Sequence, residues 1–254
     1  MDLGLKGRVA LVAGGSGGIG RAIARELARE GARVAICARR EEQLAEAKAE
    51  LEADVPGSEI VTLRAELHQP REVERLKAEL RARLGEPAIV VNAAGHGSPG
   101  TLETVGPAEL QDMLDTNLLP CLLLAKAFSP AMTEAHWGRI IFVAAVSGRQ
   151  PTLGQLGSNV AKAGVINLAK ELSTELAEAG VTVNCVLPGR IATPRVLRFF
   201  SEEEQRRRSG AIPMRRYGTP EEFAAAAVFL ASERAGYITG AALAVDGGLV
   251  ASMF

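Results

Sequence analysis

A short apolar run, residues 9–13, passes without a spacer into Gly14-Gly15-Ser16-Gly17-Gly18-Ile19-Gly20 and then into the helix-forming Arg21-Ala22-Ile23. Few local structures accommodate that order. The run predicts a strand, the glycines a tight turn whose backbone a ligand can approach closely, and the next residues a helix starting inside the turn. The unpaired N–H groups and positive dipole end of such a helix attract a pyrophosphate, so the segment predicts a dinucleotide cradle. It fits two spacings, Gly15-x-Gly17-x-x-Gly20 and Gly14-x-x-x-Gly18-x-Gly20.

Downstream, the hydrophobic period alternates. Strands are predicted over residues 9–13, 33–38, 60–64, 88–92, 139–144, 181–187 and 242–245, and helices over 18–30, 41–53, 70–84, 107–135, 155–179 and 220–231. Right-handed crossovers between such units make a parallel sheet with helices on both faces. The expected fold is therefore α/β: a Rossmann-type, doubly wound, seven-stranded parallel sheet in three layers, with ligands beyond the carboxyl ends of the strands. One domain is expected over residues 1–254, with an irregular, charge-rich insertion at 193–213 acting as a lid.

Composition narrows the function classes. A net charge of -1 gives no basic excess for nucleic acid, and no long uncharged apolar run or N-terminal targeting pattern is visible. A cytoplasmic protein without a membrane segment is expected. Cys37, Cys121 and Cys185 sit in separate apolar runs without metal-ligand spacing, which predicts reduced core thiols and no metal site.

Cofactor choice is read at the end of the second strand, Cys37-Ala38-Arg39-Arg40. A carboxylate there would bond the ribose diol of NAD. Instead Arg39 offers a guanidinium, which suits the 2′-phosphate of NADP(H).

At this point the chain resembles the short-chain dehydrogenase/reductase superfamily across essentially its whole length. Gly14-x-x-x-Gly18-x-Gly20 is that superfamily's spacing, with Ser16 and Ile19 inside the turn. Asn92-Ala93-Ala94-Gly95 is similar to its Asn-Asn-Ala-Gly segment, Asn117 stands where an asparagine helps hold a relay water, and Pro188-Gly189-Arg190-Ile191-Ala192-Thr193 fits its Pro-Gly-x-x-x-Thr segment. The resemblance implies that Pro188, Gly189, Ile191 and Thr193 contact the nicotinamide end. It also implies that Glu66 and Leu67 replace the usual pair beside adenine.

The same resemblance places Lys162 at the lysine of the catalytic signature. Four residues earlier the signature has tyrosine and this chain has Ser158; thirteen before that it has serine and this chain has Ala145. The only tyrosines, Tyr217 and Tyr237, fall elsewhere. Three functions remain open: an NADP(H)-dependent carbonyl reductase similar to 3-oxoacyl carrier-protein reductases, with water, Ser158 or His96 supplying the proton; a conjugate reductase similar to 2,4-dienoyl-CoA reductases; or a non-catalytic NADP-binding sensor or partner subunit. Asn117, Ser158 and Lys162 are the candidate catalytic residues. His68 and His136 have no supporting context. The partners expected are a small-molecule substrate and further copies of the chain in a homotetramer, because the predicted helices 107–135 and 155–179 carry more apolar residues than one sheet contact uses.

Overall fold

A computed structural model describes residues 2–252; Met1, Met253 and Phe254, the ends of the expected domain, lie outside the described residues. Chain order is β1 (Val9–Ala13), α1 (Gly18–Arg29), β2 (Arg33–Ala38), α2 (Glu41–Asp54), β3 (Ile60–Arg64), α3 (Pro70–Arg83), β4 (Ile89–Asn92) and α4 (Pro107–Asn117). It continues through α5 (Leu119–Glu134), β5 (Gly138–Val143), α6 (Leu156–Leu176), β6 (Val181–Pro188), α7 (Pro194–Phe199), α8 (Glu202–Gly210), α9 (Pro220–Leu230) and β7 (Ala242–Val245). All strands pair in parallel, in the order β3-β2-β1-β4-β5-β6-β7. The expected doubly wound sheet is therefore observed.

Alternate residues of each strand feed opposite apolar layers, as the two-residue period of a strand requires. On β1, Val9, Leu11 and Ala13 enter one layer with Leu76 of α3, Phe128 of α5 and Val165 of α6. Ala10 and Val12 enter the other with Ile23 and Leu27 of α1, Leu44 of α2 and Phe223 of α9. Each fully buried side chain of this size contributes about 1.5–3 kcal/mol, so both faces of the sheet hold their helices firmly. Cys37, Cys121 and Cys185 are free and buried in these layers. Burial pushes the Cys37 thiol up to about 12 and the Cys121 thiol up to about 11.

Two expectations are corrected. The single helix at 107–135 is two helices meeting at Leu118. Pro120, in the first turn of α5, has no N–H to continue the ladder, and its ring crowds the carbonyl one turn back. The lid is not irregular either, since it folds as α7 and α8, whose N-cap side chains Thr193 and Ser201 accept the backbone N–H groups of Val196 and Glu204. Six of the nine residues of α8 are charged and none of its side chains is buried, so no apolar period marks the helix. Among the described residues, no helix is long and apolar enough to cross a membrane.

Candidate active site

Sheet order reverses between β1 and β4, which opens a crevice at their carboxyl ends. The Gly14 N–H donates to the Cys37 carbonyl at 2.8 Å, and the Ala93 N–H to the Ala13 carbonyl at 2.9 Å, so the glycine turn hangs between β2 and β4. Gly14 has φ +76°, and a Cβ there would stand 2.7 Å from the Ala94 nitrogen. A Cβ on Gly20 would collide with the Gly14 carbonyl. At these two positions a side chain would collide with neighbouring backbone, so glycine lets the turn pack closely, while Ser16 and Ile19 line the turn half-buried. The N-cap of α1 is Gly17, with no side-chain cap and no acidic residue in the first turn. The helix start is thus left open to an anion.

A second group lies at the mouth between β4, β5 and α6. Asn92, at the end of β4, accepts the Ala94 N–H at 3.1 Å and donates to Cys121 Sγ at 3.0 Å, which fixes the following turn. That turn brings Gly95, at φ +137°, over two other predicted residues. A Cβ on Gly95 would lie 2.5 Å from Asn117 Oδ1 and 3.4 Å from Lys162 Nζ. One on Gly97 would lie 3.5 Å from Ser158 Oγ. Asn117, Ser158 and Lys162, from α4 and α6, therefore meet under one loop.

Their polar atoms are not equally satisfied. Lys162 is 8% exposed, and its Nζ donates to the Val143 carbonyl at 3.1 Å. Burial lowers its pKa, which Cys121 and Cys185 partly offset. Asn117 donates its Nδ2 to the Met113 carbonyl at 3.0 Å, and its Oδ1 is buried with no partner. A buried carbonyl of this kind calls for a donor, so Asn117 Oδ1 is a candidate acceptor for a bound polar group. The carbonyl of Val143 was invisible to sequence reasoning, since a backbone contact leaves no residue signature.

Other predicted residues fall around the same crevice. Pro188 ends β6, Gly189 packs against Asp246, and Thr193 approaches Gly18, where an added Cβ would be 3.4 Å from Thr193 Cγ2. Ile191 is buried and bridges to Gly218. Arg39 lies at the far side, beyond β2, next to the β3 end that leads to Glu66 and Leu67. The structure does not bring these three to Lys162. It adds Arg64, whose Nε donates to the Arg39 carbonyl at 3.3 Å, a neighbour set by strand pairing and missed in the sequence. His96 is half-buried between Gly95 and Gly97, whereas His136 sits before β5 at the opposite end of the sheet. Tyr237 is exposed before β7, and Tyr217, half-buried with its hydroxyl buried, lies between α8 and α9, so neither joins Lys162.

Residues 13–250 match the family model described as enoyl-(acyl carrier protein) reductase. The 3-oxoacyl-[acyl-carrier-protein] reductase FabG of Escherichia coli is 38% identical, over 96% of this chain and 98% of its own length. The chain belongs to the short-chain dehydrogenase/reductase superfamily. Among solved structures of this superfamily, the L-sorbose reductase of Gluconobacter frateurii, complexed with NADPH and L-sorbose, has TM-score 0.96 and 32% identity over all of both chains. YwfH, an NADPH-dependent reductase involved in bacilysin biosynthesis, has TM-score 0.92 and 29% identity over 97% of this chain and 99% of its own.

Proposed function

We propose that this chain is a cytoplasmic, single-domain NADPH-dependent reductase of a carbonyl substrate of the 3-oxoacyl type, working without a tyrosine proton donor. The observation that carries the reading is Lys162 and Asn117 meeting beneath Gly95 with Ser158 one helical turn before the lysine. The crevice fits a dinucleotide, given the open start of α1, the open space at Gly17, and the unpartnered Asn117 Oδ1. When bound, NADPH supplies the hydride. Gly14, Ser16, Gly18, Ile19 and Gly20 would hold the pyrophosphate, Glu66 and Leu67 the adenine, and Asn92, Ala93, Gly95, Pro188, Gly189, Ile191 and Thr193 the nicotinamide half.

Lys162, held by the Val143 carbonyl, would in its protonated form stabilise negative charge growing on a substrate oxygen. Ser158, with an ordinary hydroxyl, is a poor acid, so protonation falls to water held by Asn117 or to His96. A conjugate reduction of a dienoyl thioester is the second reading, favoured by the same Ser158 in place of a phenol, because protonation then occurs at carbon. Mixing the protein with NADPH and, separately, a ketone, a 3-oxoacyl thioester and a dienoyl thioester separates the two. Cofactor oxidation is expected with the 3-oxoacyl thioester; turnover of the dienoyl thioester alone would transfer the assignment to conjugate reduction, and turnover of none would leave a non-catalytic cofactor binder.

Arg39, with Arg64 against its carbonyl, supports NADPH over NADH. A guanidinium–phosphate contact is worth roughly 1.5–3 kcal/mol, so NADPH should bind about 10–150-fold more tightly. Arg39→Asp should reverse the order in titration calorimetry, and equal affinities in the unaltered protein would count against it. A homotetramer is proposed from exposed apolar side chains on two faces, Leu122 of α5 with Val160 of α6, and Phe229 of α9 with Leu243 of β7. Light scattering at micromolar concentration should give four times the chain mass, and a single-chain mass would remove this part of the reading.

A further inference from the structure

Residues 190–216 carry eight arginines and three glutamates in a chain whose net charge is -1, so positive charge is concentrated on the lid. Arg190 lies between the end of β6 and the lid. Its backbone is fixed by the Gly218 N–H, which donates to its carbonyl at 3.0 Å. Its guanidinium turns beneath the end of α8, where Nη1 donates to the Arg208 carbonyl. Among the described residues Arg190 makes no ion pair, while Glu204 pairs with Arg207 at 3.6 Å and Arg208 at 3.8 Å. Arg208 stacks on Phe200 at 3.9 Å, which leaves its Nε buried and without a partner. The Tyr217 hydroxyl is also buried without a partner.

Such a cluster is unfavourable by itself. Burial and the like charges of Arg208 and Arg207 lower the Arg190 pKa, and Tyr217 acts in the opposite direction. Partly buried guanidinium groups with spare donors are stabilised by an anion, and bidentate pairing to a carboxylate or phosphate is the geometry they favour. The place is informative as well. Three residues after Arg190, Thr193 packs toward Gly18 of the glycine turn, so Arg190 lies on the segment that runs from the carboxyl end of β6 to that turn.

We propose that Arg190, Arg208 and Tyr217 form an anion subsite for a carboxylate or phosphate group carried by the substrate. As a statement about the substrate it rests on the reductase reading above: it keeps carbonyl reduction and replaces a plain 3-oxoacyl thioester by a substrate that carries its own carboxylate or phosphate. The ligand class is a compact oxyanion attached to, or near, the group being reduced.

The test is calorimetric titration of the protein, with and without saturating NADPH, using inorganic phosphate, 2-oxobutanoate and the neutral 2-butanone. Phosphate or 2-oxobutanoate should bind, with the stronger of the two identifying the anion, and 2-butanone should not. Arg190→Gln should weaken that binding at least tenfold. Because Arg190 also holds α8, Tyr217→Phe serves as the second variant: it removes one donor, leaves the lid's hydrogen bonds intact, and should weaken the anion severalfold. Both variants should retain NADPH affinity within about twofold. Absence of anion binding to the unaltered protein, or equal binding in both variants, overturns the subsite. Anion binding without any NADPH binding would keep the subsite and discard the reductase reading, so the two failures are distinguishable.

Discussion

Ser158→Tyr combined with Ala145→Ser should raise reduction of an activated ketone by on the order of 10²-fold or more. A phenol placed one turn before Lys162 would have its pKa drawn below the usual value near 10 by the lysine charge, and so could donate a proton as the carbonyl is reduced. General acid catalysis of this kind contributes roughly 10²–10⁴-fold, or about 3–5 kcal/mol of barrier. The serine at 145 adds a second donor to the substrate oxygen. Space is the main obstacle, because Ser158 is buried and Gly97 stands close to its hydroxyl. Thermal unfolding and NADPH titration of the double variant come first, then steady-state rates. The same change should leave a dienoyl thioester almost unaffected, since its proton goes to carbon. An unchanged ketone rate with normal NADPH binding would show that the pocket, and not the missing acid, limits the reaction.

Gly14→Ala should weaken NADPH binding and lower the unfolding midpoint by about 4–20 °C. Two penalties combine at this position. The left-handed backbone, φ +76°, costs an L side chain about 1–2 kcal/mol, and overpacking against the Ala93–Ala94 backbone costs about 1–3 kcal/mol more. For a chain of this length each kcal/mol moves the midpoint by roughly 2–4 °C. Gly57→Ala is the control, because Gly57 has φ +82° but nothing within 4 Å of an added Cβ. It should show only the conformational penalty and bind NADPH normally. Equal losses in the two variants would mean that close backbone packing under the turn is unimportant.

The sheet was legible because its signal is local and repeated. Every predicted strand falls within a residue or two of an observed one, since a buried parallel strand must be apolar on both faces and the glycine turn marks where the first ends. Helix ends were less legible. Pro120 divides the long helix through a steric effect that apolar periodicity does not record, and the charges of α8 hid a helix that its Ser201 cap reveals. The glycine turn could be read as a cradle, but which glycines are indispensable came from the distances to Ala94 and to the Gly14 carbonyl.

By itself the sequence determined the α/β alternation, the cofactor turn, the absence of a carboxylate at Arg39, and the spacing that puts Ser158 one turn before Lys162. These are properties of contiguous residues, so backbone geometry and hydrophobic period suffice to express them. Only the tertiary structure decided which distant groups are neighbours: Asn117 and Lys162 under Gly95, Arg64 against the Arg39 carbonyl, and Arg190 against the Arg208 carbonyl. The physical reason is that the sheet order, by crossing from β1 to β4, brings the carboxyl ends of separate strands to one crevice, and burial there leaves certain polar atoms without partners.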